Sequence, residues 1–132
     1  MHAQRFSRQQ IVLLELVPTA ALTAWMELGL RARLYRQLGH RSIIAGSLPN
    51  FMSAVLVALI FGLVMANRTG AGPLKPALMS VVALGAYEFA QLVIPGRTFD
   101  VIDLLATAIG GGVAVALLDL AHRFGASGGD GT

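Results

Sequence analysis

The chain reads as an all-α membrane protein, a polytopic bundle of about four hydrophobic helices with the third and fourth folded into a tight antiparallel hairpin. Three observations predict this. Hydrophobic residues make up 55% of the 132 residues and charged ones 13%, and the mean hydropathy of +0.68 lies outside the range of soluble domains. Three stretches of bilayer length are nearly free of charge: Ser42–Asn67 has none, Pro76–Ile94 only Glu88, and Val101–Leu118 only Asp103. Each matches the roughly 17 to 25 residues that cross a hydrocarbon core. The segments between, Gly39–Arg41, Asn67–Pro76 and Pro95–Phe99, mark the breaks, the last two combining Pro and Gly.

In chain order, residues 1–10 form a polar tail. Ile11–Leu30 has the length of a first span but carries Glu15, Pro18 and Glu27, which leaves two readings open. It spans, or it lies at the interface as an amphipathic helix that runs on into Arg31, Arg33 and Arg36. A cleaved leader fits less well, because Glu15 interrupts its apolar part and more hydrophobic segments follow. Trp25 and Tyr35 suit interfacial anchors. With four spans the basic residues divide evenly between the two sides. With three, Met1–Arg41 and Arg97 share a side holding seven of the ten Lys and Arg residues, which would make the loop 95–100 cytoplasmic.

The formal charge of +3 sits in these flanks without an aromatic-basic face, so no nucleic-acid partner is expected. The absence of cysteine excludes disulfides, thiol nucleophiles and Cys-ligated metal centres. Residues 125–132, GASGGDGT, carry too little apolar surface to order themselves and form a flexible tail.

Two spans carry small residues every fourth position: Ala54, Ala58, Gly62 and Ala66 in one, and Ala106, Gly110 and Ala114 in the other, widened by Gly111 and Gly112. Such stripes let helix backbones approach closely. Packing inside one bundle is the simplest use, and a homo-oligomer seam or a groove for a lipid chain are the alternatives. The glycines are not a phosphate loop, since no strand precedes them and no Lys follows.

Tyr87–Gly111 holds the polar residues that matter most: Glu88, Gln91, Asp100, Asp103 and Thr107, in or beside two lipid-length segments. Ionisable groups inside a bilayer are expensive to keep and are by default functional candidates. Pro95 and Gly96 should stop the third hydrophobic helix near Ile94. Asp100 can cap the next helix, with Asp103 completing a capping-box-like pair. A rise of about 1.5 Å per residue, counted from the hairpin turn, sets Gln91 level with Asp103 and Glu88 level with Thr107 one turn deeper. Arg97 in the loop is the obvious counter-charge, able to bridge a carboxylate or hold a ligand phosphate or carboxylate.

Three chemistries fit these residues. Glu88 and Asp103 can share general acid and base roles; Glu88, Asp100 and Asp103 offer oxygen ligands to a divalent cation, although no histidine lies near; or the cluster recognises a polar headgroup without reacting. An internal salt-bridge lock is the plain alternative. No metal site and no cofactor is expected, because neither a zinc motif nor a Ser-His-Asp order is present. His2, His40 and His122 lie near segment ends, as do Glu27, Asp119 and Arg123. Glu15 is either a solvated residue near the segment end or a proton-carrying carboxylate.

The run Glu88-x-x-Gln91, Pro95, Arg97-x-Phe99-Asp100-x-x-Asp103 and Gly110 resembles the signature of the VanZ-like family of small bacterial membrane proteins. It covers about a fifth of the chain. Thr107 stands where that family often has Asn, and Ser47–Phe51 where it often has an Asp-Lys-x-x-His element. The resemblance implies a VanZ-like transmembrane domain over 11–124 in a bacterial plasma membrane, for the founding member a link to teicoplanin resistance, and no established reaction. The reading is of a multi-pass protein whose polar site binds an envelope lipid or partner; a lipid-modifying hydrolase or transferase and a small proton-coupled transporter are the alternatives.

Overall fold

A computed structural model describes residues 6–39, 43–66, 72–96 and 100–125. Five α-helices, α1 (Arg8–Trp25), α2 (Arg31–Leu38), α3 (Ile43–Met65), α4 (Leu74–Ala90) and α5 (Val101–Phe124), pack as four rods, because a π-helical segment, Met26–Leu30, joins α1 and α2 without a break. Among the described residues there is no paired strand of a sheet.

The first rod starts with a capping box: the Ser7 hydroxyl accepts the Gln10 N–H at 3.3 Å and the Gln10 side chain accepts the Ser7 N–H at 2.8 Å. It runs through Pro18, whose missing N–H removes one main-chain bond. Thr19 and Thr23 donate their hydroxyls to the Glu15 and Thr19 carbonyls, both at 2.7 Å, so they hide their polar ends in the helix itself. The result is an apolar helix of 30 residues, Arg8–Gln37, which has the length and composition to cross a membrane. The helix continues unbroken into Arg31, Arg33 and Arg36, the continuation expected of an interfacial helix, while its length and composition are those of a span.

Gly46–Met65 and Val101–Phe124 also have the length and composition of spans. α4 is shorter than its hydrophobic stretch: it ends at Ala90, four residues before the expected stop. Leu92, Val93 and Ile94 donate instead to carbonyls three residues back, at 3.1, 3.1 and 3.3 Å. Pro95 bars Ile94 from helical geometry, and the chain tightens into 3₁₀-type turns before it. Gly96 then takes φ +80°, which a side chain would strain.

The bundle is apolar outside and small inside. Leu13, Leu14 and Val17 of α1, Val82 and Phe89 of α4, and Leu105 and Ile109 of α5 all face outward, while Ala54, Ala58 and Ala114 are fully buried. Water would not tolerate that surface, and lipid requires it. The protein is therefore a membrane protein.

α3 is the central rod and touches all the others. α4 and α5 form the hairpin, yet the most extensive packing of α5 is on α3, which runs parallel to it. There the two small-residue stripes meet: a Cβ on Gly110 would strike the Phe51 carbonyl oxygen and come within 2.9 Å of the Ala54 Cβ, and one on Gly62 would strike Leu118 Cδ2. Each stripe is thus covered by the other. Gly111 turns to α4, where Val81 Cγ2 fills the place of its missing side chain.

One buried hydrogen bond ties α4 to α3: the Ser80 hydroxyl, fully buried, donates to the Ala54 carbonyl at 2.8 Å. Ser80→Ala is expected to lower stability by about 1 kcal/mol, read as a fall of a few degrees in the melting temperature of the detergent-solubilised protein. An unchanged melting temperature would show that the bond contributes nothing net.

Candidate functional site

The polar residues gather where α4 ends and α5 begins. Asp100 is extended (φ −128°, ψ 123°) and its carboxylate accepts the Ile102 N–H at 2.9 Å. That is an N-cap, and Asp100 is exposed while serving it. Asp103 is half-buried in the first turn of α5, close to Asp100 and to the Asn50 side chain of α3.

Glu88 and Gln91 close α4 on its inner face, 3% and 8% exposed, and Thr107 of α5 is 1% exposed. These three polar side chains are thus buried as deeply as the apolar core. The bundle turns them inward rather than presenting them to lipid. Arg97 and Phe99 lie outside the described residues, as do His2 and His40.

The tiers differ from the sequence expectation. Val81 fills the gap at Gly111, and a Cβ on Gly85 would lie 4.0 Å from Leu104 Cδ2. Continued by one turn, that register sets Glu88 opposite the first turn of α5, where Asp103 lies, and Thr107 opposite the middle of α4 near Gly85. The expected pairing of Glu88 with Thr107 and Gln91 with Asp103 is displaced by about one helical turn. The cause is the interlock of Val81 and Leu104 with glycines, together with the tightened turns after Ala90 that begin the loop early.

The carboxylates Glu88 and Asp103 come from different helices, so no single element can place them. Among the described residues, no group of three or more His, Asp and Glu side chains is arranged to hold a metal ion. The divalent-cation reading of Glu88, Asp100 and Asp103 therefore has no geometric basis. Asn50 is the member that sequence reading missed. Its signal was present: an amide beside Pro49 in the uncharged segment Ser42–Asn67.

The other singled-out charges are accounted for locally. Glu27 meets Arg31 at 3.4 Å, and Arg31 also stacks over Tyr35 with its guanidinium carbon 5.6 Å from the ring centre. Asp119 meets Arg123 at 2.8 Å. All are exposed i, i+4 pairs of small energetic worth. Trp25 is 56% exposed on the outer face of the first rod. Glu15 stands apart: it is half-buried on the helix facing α3 and α5, and its Oε2 is sealed from solvent with no hydrogen-bond partner.

A family model described as VanZ/LLP1 matches residues 1–122. No curated protein and no solved structure matches the chain.

Proposed function

The chain belongs to the VanZ/LLP1 family, and we propose on that premise that it is a multi-pass protein of the bacterial plasma membrane whose polar cluster binds the headgroup of an envelope lipid. The observation that carries the reading is the burial of Glu88, Gln91 and Thr107 inside an apolar bundle, with Asp103 and Asn50 nearby and the helix ends adjacent. Headgroups lie at the depth where spanning helices end. A buried group with both carboxylates and amides offers acceptors and donors to hydroxyl, amine or amide headgroups. Arg97, two residues past Pro95, would add a cation for a phosphate.

The test is native mass spectrometry of the detergent-extracted protein with its co-purified lipids identified, comparing the parent with Glu88→Ala and Arg97→Ala. The expected result is an envelope lipid retained by the parent and lost from both variants while their helicity is unchanged. Equal retention in all three would sink the reading.

A second reading is favoured by one feature, the register that opposes Glu88 to the turn containing Asp103. Two carboxylates so disposed suit acid and base roles in a hydrolase or transferase acting on a lipid-linked substrate. On that reading Glu88→Gln keeps lipid binding and abolishes turnover, whereas on the first it changes binding alone.

A further inference from the structure

The first rod lies along α3 over nearly the whole of that helix's apolar length. At one end Arg8 and Val12 line a small recess with Met65 and Leu118, and toward the other Thr23, Met26 and Glu27 line a second with Leu48, Pro49 and Met52. α1 therefore runs antiparallel to α3 and traverses the same thickness. Between those ends Val12 packs in the core with Val55, Leu59, Leu118 and Ala121. Glu15, three residues on, shares that side of the helix and lies about 4 to 5 Å further along. It is thus level with the middle of Gly46–Met65, a helix of spanning length.

Nothing at that depth offsets a charge. The Glu15 Oε2 is sealed from solvent and has no hydrogen-bond partner, and the part of the side chain that the bundle leaves uncovered meets lipid there rather than water. α3 contributes no ionisable residue between Ile43 and Met65. On α5, Asp119 and Arg123 pair with each other at 2.8 Å, His122 sets its Nδ1 3.3 Å from the Leu118 carbonyl, and Asp103 lies far off in the first turn. On the first rod itself Arg8 is about two turns toward the start, and Glu27 meets Arg31 at 3.4 Å. Among the described residues no ion pair reaches Glu15. A carboxylate without a counter-ion is far more costly to bury than the neutral acid.

We propose that Glu15 is a proton-binding site inside the bilayer, loaded from the α2 end of the first rod. Glu15, Thr19, Thr23 and Glu27 recur every fourth residue and so share one face. The first three are half-buried against the bundle, and Glu27 is exposed at the end of the row. Thr19 and Thr23 give their hydroxyl protons to the Glu15 and Thr19 carbonyls, both at 2.7 Å, which leaves their oxygen lone pairs as a line of acceptors. One turn, about 5.4 Å, separates each from the next, a gap that one water bridges with a hydrogen bond to either side. The row ends where the chain enters the π-helical segment Met26–Leu30, a distortion frequent at functional positions. A proton taken from water beside Glu27 passes along the row to Glu15, whose carboxylate becomes a neutral acid; its return by the same row restores the carboxylate. The site is separate from the cluster of Glu88 and Asp103 on α4 and α5.

The experiment treats the full-length protein in vesicles of phosphatidylethanolamine and phosphatidylglycerol with dicyclohexylcarbodiimide, an apolar reagent that enters hydrocarbon and adds to a protonated carboxyl to give a stable N-acylurea. Peptide mapping by mass spectrometry locates the adduct. The expected result is an adduct on Glu15, formed severalfold faster in acidic than in alkaline buffer, absent in Glu15→Gln, restored at the same position in Glu15→Asp and kept in Glu88→Gln. Infrared difference spectra across the same change of buffer should show a protonated-carboxyl stretch that Glu15→Gln removes, a signal that a purely structural side chain does not give. Transfer to heavy water shifts that band, and Thr23→Val should slow the shift severalfold. Adducts confined to other carboxyls, or a Glu15 adduct formed equally fast in both buffers with no band lost in Glu15→Gln, would overturn the proton site. An unchanged rate of shift in Thr23→Val would overturn the route from the α2 end.

Discussion

Gly110→Leu is expected to abolish the native bundle or to leave it destabilised by about 3 kcal/mol or more, with a matching collapse of the melting temperature in detergent. Even a Cβ at this position would strike the Phe51 carbonyl oxygen and approach the Ala54 Cβ to 2.9 Å. Both obstacles belong to the backbone or first side-chain atom of α3, so neither can rotate away. Overpacking of a filled interior typically destabilises by about 1 to 3 kcal/mol, and a whole isobutyl group at a backbone contact belongs at the upper end. α3 and α5 are the most closely associated pair of rods, and separating them opens the centre of the fold.

The control lies two residues away. Gly112 is on the outer face of the same helix, and a Cβ there meets nothing within 4 Å. Gly112→Leu should leave the melting temperature within a degree or two of the parent, and Gly112→Ala should raise stability by about 0.5 to 1 kcal/mol through helix propensity. Equal effects at 110 and 112 would mean that α3 and α5 do not cross as described.

Glu15→Leu is the second large effect, and its sign is opposite. The Glu15 Oε2 is shut away between α1 and its neighbours with no hydrogen-bond partner. A buried polar group without a partner is unfavourable by about 1 to 3 kcal/mol, and replacing it with an apolar group of similar size removes that penalty. The variant should therefore melt several degrees higher, with Glu15→Gln closer to the parent. A lower melting temperature for Glu15→Leu would show that the carboxylate has a partner in the membrane. A strongly unfavourable residue in the first helix is itself grounds for testing transport and lipid phenotypes of the same variant.

Much of the candidate site was legible because its residues break a chemical rule. Glu88, Gln91 and Asp103 stand out in apolar segments, and Asp100 before Val101 reads as a cap, as the 2.9 Å bond to Ile102 shows. Asn50 was missed because it carries no charge and lies outside the Tyr87–Gly111 run, so nothing in one dimension ties it to Asp103. The stop of α4 was displaced by four residues, because proline declares that a helix must end before it but not how many turns tighten first.

The sequence by itself determined that the chain lives in lipid, how many apolar rods it makes and where polar groups interrupt them, because transfer free energy is additive along the chain and needs no partner. It also marked the stripes of Ala54, Ala58 and Gly62 and of Ala106, Gly110 and Ala114 as places of close approach. Only the tertiary structure decided that these stripes cover each other, that Glu88 opposes the turn of Asp103 rather than Thr107, and that Asn50 belongs to the cluster. In a membrane both the inner and outer faces of a helix are apolar, so hydrophobicity leaves its rotation and its axial register free. Those are set by the interlock of individual side chains, Val81 at Gly111 and Leu118 at Gly62, which exists only once the helices are packed.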